Sequence, residues 1–445
     1  MTDISQAPEA PAPASDFPLR KVVIVALLLI GTLIAGWSIS SVVWERQQRQ
    51  AETLESFQGS WGPEQVLSGP VLVIPYQPAP DKARHYLEIA PQNLKAKTIL
   101  SPQERKRGLF HATVYSTTTD LDGNFRIPQP ESIGAGAKLF WEDAFVIVNT
   151  STLSGMTSAD HFTWNGVAVP WQNCRELISR DDCVVSSALV AHVPFSTPPA
   201  VGTSVAFAGT LSLRGTGSFN QAFQGANIDA ALEGAWSTPS FGGSLLPVDS
   251  SVSESGFQTH WTSADYTSAK VWSSSHAIEK DAEVGSIASV ALLEATPTYR
   301  MINRASKYNI LFVVLSFTTY FLFELLTKVR IHPLQYGLLG ASLTLFALLL
   351  VSFAEMIGYD AGYAVSAGLV LLQASVYTAM VTRRLLQSLM FGAMLASLFG
   401  FLYVLLSLET YSLLVGSVGL FLVLSLVMAL TQRVKWLAAA EPAVA

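Results

Sequence analysis

Charge is the scarcest ingredient of this 445-residue chain. Asp, Glu, Lys and Arg make up 13% of it, about half the share of an ordinary soluble domain. The formal net charge is −6, which excludes the basic surface that nucleic-acid binding requires. Two cysteines are too few for a disulfide-built scaffold. Of the seven histidines, His85, His111, His161, His192 and His276 are scattered without ligand spacing, so neither a metal site nor a cofactor is expected. The zinc-peptidase pattern of two His at i and i+4 around a Glu is missing, as is a Gly-x-x-x-x-Gly-Lys phosphate loop. Gly215-Thr216-Gly217 lies in a strand-like run with no helix after it.

Apolar residues are abundant instead, at 50% of the chain with a mean hydropathy of +0.37. Their placement is uneven. Residues 309–445 hold 6 Lys+Arg and 5 Asp+Glu, whereas residues 45–308 hold 19 and 25. That contrast describes a membrane protein with one large water-soluble part. A bilayer core needs about 20 apolar residues in helical form, and residues 22–43 supply the first such run, after Arg20 and Lys21 and before Trp44. The run is longer than the roughly 7–15 residues of a signal-peptide core and no small-x-small cleavage site follows it, so it is read as an uncleaved anchor. Residues 1–19, rich in Ala and Pro, are read as a disordered tail.

Five further spans are expected at 309–327, 334–357, 361–381, 386–408 and 411–430. Lys and Arg flanking membrane spans stay cytoplasmic. Arg20/Lys21, Lys328/Arg330, Arg383/Arg384 and Arg433/Lys435 fall on one side, and the two short loops at Gly358-Tyr359-Asp360 and Glu409-Thr410 carry no basic residue. The reading is six transmembrane helices in a bacterial inner membrane, span 1 at 20–44 and spans 2–6 within 309–432, with both termini cytoplasmic, a short tail at 433–445, and residues 45–308 periplasmic. Cys174 and Cys183 then share an oxidising compartment, which allows a local disulfide; two unpaired buried thiols are the alternative.

The exported segment alternates as strands do. Val71-Leu72-Val73-Ile74 ends at Pro75, and strand-like runs follow at 109–115, 144–148, 184–193, 204–214 and 228–236. Asp122-Gly123-Asn124 reads as a hairpin turn. Helical spacing of Ala51, Leu54 and Phe57 predicts a stalk helix over 44–57, aided by Glu45 and Arg49 at i,i+4. The expected fold is an all-β, sandwich-like domain on that stalk.

Enzyme chemistry finds little support. Gly340-Ala341-Ser342 resembles the setting of an intramembrane serine nucleophile, but no His follows His332 to act as its base. Asp360 lacks a second membrane Asp. Ser255, His260 and Asp265 can be assembled into a triad only as any large domain allows, and no catalytic residue is assigned. Ionisable residues within spans are functional candidates by default. Glu324 is the foremost, in a polar set with Lys328, His332, Gln335 and Tyr336. The simpler reading is a Glu324–Lys328 pair reaching the interface. Glu355 is expected at an interface too, and Pro333 suits the first turn of a helix.

Several segments resemble the CreD family of bacterial inner-membrane proteins: residues 252–261, Arg304-Ala305-Ser306-Lys307-Tyr308, Phe321-Leu322-Phe323-Glu324, His332-Pro333-Leu334-Gln335-Tyr336, and Ser68-Gly69-Pro70 ahead of the first strand. The likeness covers nearly the whole chain beyond the tail. It implies a role in cell-envelope integrity and the envelope stress response, and it supplies no catalytic residues. The leading expectation is a non-enzymatic protein whose partners are the lipid bilayer and an envelope protein or component bound by the periplasmic domain. Glu254, Ser255, Gly256, Phe257, Gln258, His260 and Trp261 form its candidate functional segment; an ordinary strand and turn around a core Trp is the plain reading. A transporter or lipid-handling protein working through the helix bundle is the alternative, and a groove between helices opening to lipid would favour it. A membrane sensor is disfavoured, because the cytoplasmic side offers only short loops and tails.

Overall fold

The computed structural model describes residues 19–80, 82–108, 110–128, 137–160, 162–177, 183, 187–264, 271–275, 286–292, 298–327, 331–408 and 411–431. His161, His276, Asp265, Lys328, Arg330, Glu409, Thr410, Arg433, Lys435 and the tail through residue 18 lie outside them. The chain divides into two compact units, residues 1–48 with 296–445, and residues 49–295.

The first unit is helical. Its long helices are α1 (Leu19–Trp61, whose residues from Arg49 on belong to the second unit), α2 (Thr298–Thr327), α3 (Pro333–Ile357), α4 (Tyr359–Thr382), α5 (Leu385–Ser407) and α6 (Ser412–Thr431). Five of them are long and apolar enough to cross a membrane, and α2 makes a sixth if its two parts, bent by 48° between Tyr308 and Ile310, count as one span. Helices suit these runs because only internal hydrogen bonding satisfies the backbone in hydrocarbon. At 43 residues, α1 is about 65 Å long, twice the bilayer core, so the expected anchor and stalk are one continuous helix. His332 caps α3, its Nδ1 accepting from the Leu334 N–H at 3.2 Å, and Pro333 takes the first turn, where a missing N–H costs nothing. Only Gly358, at φ +84°, separates α3 from α4. A Cβ on Gly362 would sit 2.6 Å from the Ala354 nitrogen, so glycine there is what lets these two helices close together. Aromatic rings fill the interior: Phe312, Phe346 and Phe399 lie with centroids 4.8–5.6 Å apart.

The second unit is β-rich, with a ten-stranded and a nine-stranded sheet among the described residues. Leu72, Ile74, Val146 and Phe219 of the first share one buried core with Leu94, Leu100, Phe125, Leu213 and Trp261 of the second. The strand Gln65–Gln77 is buried almost throughout because a second cluster, including Val71, Val73, Phe145, Ile147 and Val190, covers the other face of its sheet. This explains its unbroken apolar run. Cys174 and Cys183 belong to that second cluster, joined sulfur to sulfur with Cα atoms 6.1 Å apart. The nine-stranded sheet keeps an outward face: Asn93–Arg107 alternates buried and exposed residues from Leu94 to Leu100. Tyr115 ties the sheets together. Its hydroxyl donates to the Ser218 carbonyl at 2.6 Å and accepts from the Gln65 N–H at 3.2 Å, and burial raises its pKa well above the usual tyrosine value.

Three sequence expectations change. Asp122-Gly123-Asn124 is no turn; it lies within the strand Phe110–Arg126, paired on both sides, Gly123 with Leu94 and with Phe207. A Cβ on Gly123 would come within 2.2 Å of the Asn93 carbonyl oxygen and 2.8 Å of the Phe207 ring, so this glycine admits a close approach rather than a reversal. Ser68-Gly69-Pro70 sits inside the first strand, not ahead of it, and the strand passes through Pro75 to Gln77. The 184–193 run shortens to Ala188–His192, with residues 184–186 outside the described set.

Candidate functional site

Two groups of polar residues stand out, one in each unit. In the helical unit, α2 carries Glu324 near its end. Glu324 and Lys21 form an ion pair in which their side chains are 10% and 19% exposed. The other carboxylate oxygen accepts from the Tyr336 hydroxyl at 2.8 Å, and the Ile331 N–H approaches Oε1 at 3.3 Å. Tyr336 is itself fully buried, its ring 4.9 Å from that of Tyr320. Three helices thus converge on one carboxylate. The pair with Lys328 expected from sequence falls on a residue outside the described set. The rest of the expected polar set separates. His332 is spent on capping α3 and is exposed, whereas Gln335 turns toward a cavity with its Oε1 buried and unpartnered.

Further ionisable groups of this unit are also held. Arg46 lies 3.8 Å from Glu355, whose side chain is nearly buried. Asp360 accepts from the Tyr403 hydroxyl at 3.0 Å, and Arg304 donates to the Leu406 carbonyl at 3.0 Å. These contacts cross between helices.

In the β-rich unit, the segment around residue 254 is a hairpin of the strands Asp249–Ser253 and Gly256–Ala264. Strand alternation splits its residues by role. Phe257 and Trp261 point into the core. Gln258 and His260 face outward, beside Lys97, Glu233 and Asp249, and line a groove of about 480 Å³. His260 Nε2 lies 2.7 Å from Asp229 Oδ1. Ser255 bonds locally to Ser253 at 3.0 Å, and Glu254 is exposed at the turn. The Ser255–His260–Asp265 grouping therefore has no support among the described residues: the histidine's acid is Asp229. Nor do any three His, Cys, Asp or Glu among them form a metal-holding cluster.

The profile of the family described as "Inner membrane protein CreD" matches residues 18–437. The chain belongs to the CreD family. Inner membrane protein CreD of Escherichia coli (strain K12) is 26% identical over 435 aligned residues, covering 94% of this chain and 92% of that protein. Among solved structures, an M1 zinc metallopeptidase from Deinococcus radiodurans aligns at 9% identity, over 45% of this chain and 42% of that one, with a TM-score of 0.24. A likeness that low carries no argument.

In this CreD-family chain the structure brings Glu324 and Tyr336 of the expected polar set together and places residues 252–261 on one hairpin, beside Lys21 in the first case and Lys97 and Asp229 in the second, none of which the sequence singled out as a site residue. Lys21 counted only as a topology marker. Its signal as a partner is its place at the mouth of an apolar helix, where a cation needs an anion or the interface. Asp229 and Lys97 were legible only as outward positions of alternating strands.

Proposed function

We propose that this membrane protein serves cell-envelope integrity without catalysing a reaction, with its β-rich unit exported to the periplasm as a binding module. In this reading six spans anchor it in the inner membrane, both termini are cytoplasmic, and the two sheets act as a sandwich that presents one face. The bound partner is an envelope protein that contributes an extended segment.

One observation carries the reading. Among the described residues the strand Asp249–Ser253 ends the nine-stranded sheet, its five residues are all exposed, and the polar groove runs alongside it. A terminal strand offers free backbone donors and acceptors to an incoming strand. Lys97, Glu233, Asp249 and His260 beside it can select among side chains of that segment. Glu254, Ser255, Gly256 and Gln258 then serve at the turn and in the groove, while Phe257 and Trp261 hold the hairpin to the core.

The test is a photo-crosslinking residue at Ser251 in intact cells, with Val167 as the control. Val167 is also exposed but lies in the strand Val167–Ala168 at the opposite end of the same sheet. A discrete protein adduct from position 251, absent from position 167, is expected. Equal adducts at both positions, or none at 251, would contradict the reading.

A further inference from the structure

We propose that the helical unit binds a neutral lipid with a free hydroxyl head, in a cavity between α3 and α4 that opens sideways to the bilayer. This inference concerns the other unit and does not rest on the binding role of the β-rich one. The cavity measures about 260 Å³ and is lined by Tyr320, Gln335, Ser342, Gln373, Tyr377 and Phe391, among others. Two amides and two tyrosines around one void are unusual in a bundle built mainly of Leu, Phe, Ala and Val. Packing alone would favour apolar side chains there.

The occupant's chemistry follows from the lining. No charged side chain lines the cavity among the described residues, so an ionised phosphate head would enter without a counter-charge. The buried Gln335 Oε1 has no hydrogen-bond partner, and a buried acceptor left unpaired is costly. It therefore calls for a donor from the occupant, which a hydroxyl provides. Leu338, Ala341, Leu345 and Gln373 line the same cavity and are exposed on the outside of the bundle, which opens the void to lipid rather than to a central channel.

Size and direction agree. The volume falls just under the roughly 300–1,000 Å³ of small-molecule sites, enough for a head and the first carbons, with the chains left among neighbouring lipids. Gln335 and Leu345 are ten residues apart on α3, about 15 Å along the helix or half the bilayer core. The polar end lies beside Tyr320, whose ring touches that of Tyr336, the hydroxyl partner of Glu324. An occupant thus sits two rings, Tyr320 and Tyr336, away from the ion pair that links α1 to α2.

The experiment uses the full-length protein in nanodiscs, with diacylglycerol carrying a diazirine in its acyl chain. Phosphatidylglycerol with the same chain is the comparator. Diacylglycerol should label peptides of α3 and α4 that line the cavity, and the anionic lipid should label them far less. Ala341→Trp blocks the exposed mouth without entering the packed interior and should reduce labelling at least tenfold. Leu372→Trp, on an exposed face of α4 outside the cavity lining, should leave it unchanged and controls for folding. Gln335→Leu removes one hydrogen bond and should cost about five- to tenfold. Equal labelling by phosphatidylglycerol, or labelling unaffected by Ala341→Trp, would overturn the proposal.

Discussion

Replacing Glu324 by Leu is expected to destabilise the helical unit by about 3–5 kcal/mol, the usual consequence of removing one partner of a buried ion pair. The change leaves Lys21 without its counter-charge and the buried Tyr336 hydroxyl without its acceptor. Lys21 has partial relief, because a lysine at a helix mouth can extend toward the interface; Tyr336 has none. Glu324→Gln retains a carbonyl oxygen for Tyr336 and the Ile331 N–H and should cost less. Combining it with Lys21→Met, which removes both charges together, should bring stability back to within about 1 kcal/mol of the parent. Thermal unfolding of the purified full-length protein measures all four chains. Equal stability of the parent and Glu324→Leu would show that the carboxylate is a solvated interfacial group after all.

The second large effect separates two adjacent residues. Trp261 is 2% exposed in the core shared by the sheets, so Trp261→Ala should cost about 3–5 kcal/mol. Its Nε1 has no hydrogen-bond partner, so Trp261→Phe gives up volume but also removes an unpaired donor, and its cost should be clearly smaller. His260, with a side chain 40% exposed and paired with the still more exposed Asp229, should tolerate Ala within about 0.5 kcal/mol. Circular dichroism of the full-length variants reads the β-rich unit's transition. His260→Ala should instead reduce crosslinking from position 251. A stability loss at His260 as large as at Trp261 would make the whole segment structural.

These contrasts show which parts of the architecture the sequence made legible. The long apolar runs needed only length to be read as helices, and their limits fall within a few residues of those expected, except that α2 begins at Thr298 rather than 309. Strands were harder. Gly123 has the neighbours of a turn residue, and only its pairing to both flanking strands shows that it admits the Asn93 carbonyl and the Phe207 ring. Gln65–Gln77 hides its alternation because both faces of its sheet are covered. The polar cluster was half visible. Tyr336 follows Glu324 by twelve residues across one short connection, whereas Lys21 precedes it by 303. No local pattern reports how α1 lies against α2. The groove beside the hairpin depends likewise on which strands become neighbours, notably the parallel pairing of Asn227–Gly234 with Asn93–Arg107.

The proposed topology has six spans in the inner membrane and residues 45–308 exported. Paired reporter fusions test it most directly, one reporter active only in the cytoplasm and the other only after export, each placed after Leu292, Asp360, Arg384, Thr410 and Lys435. The one-sided placement of basic residues around the spans predicts cytoplasmic activity after Arg384 and Lys435, and exported activity after Leu292, Asp360 and Thr410. Cytoplasmic activity after Leu292 or Asp360 would contradict the account.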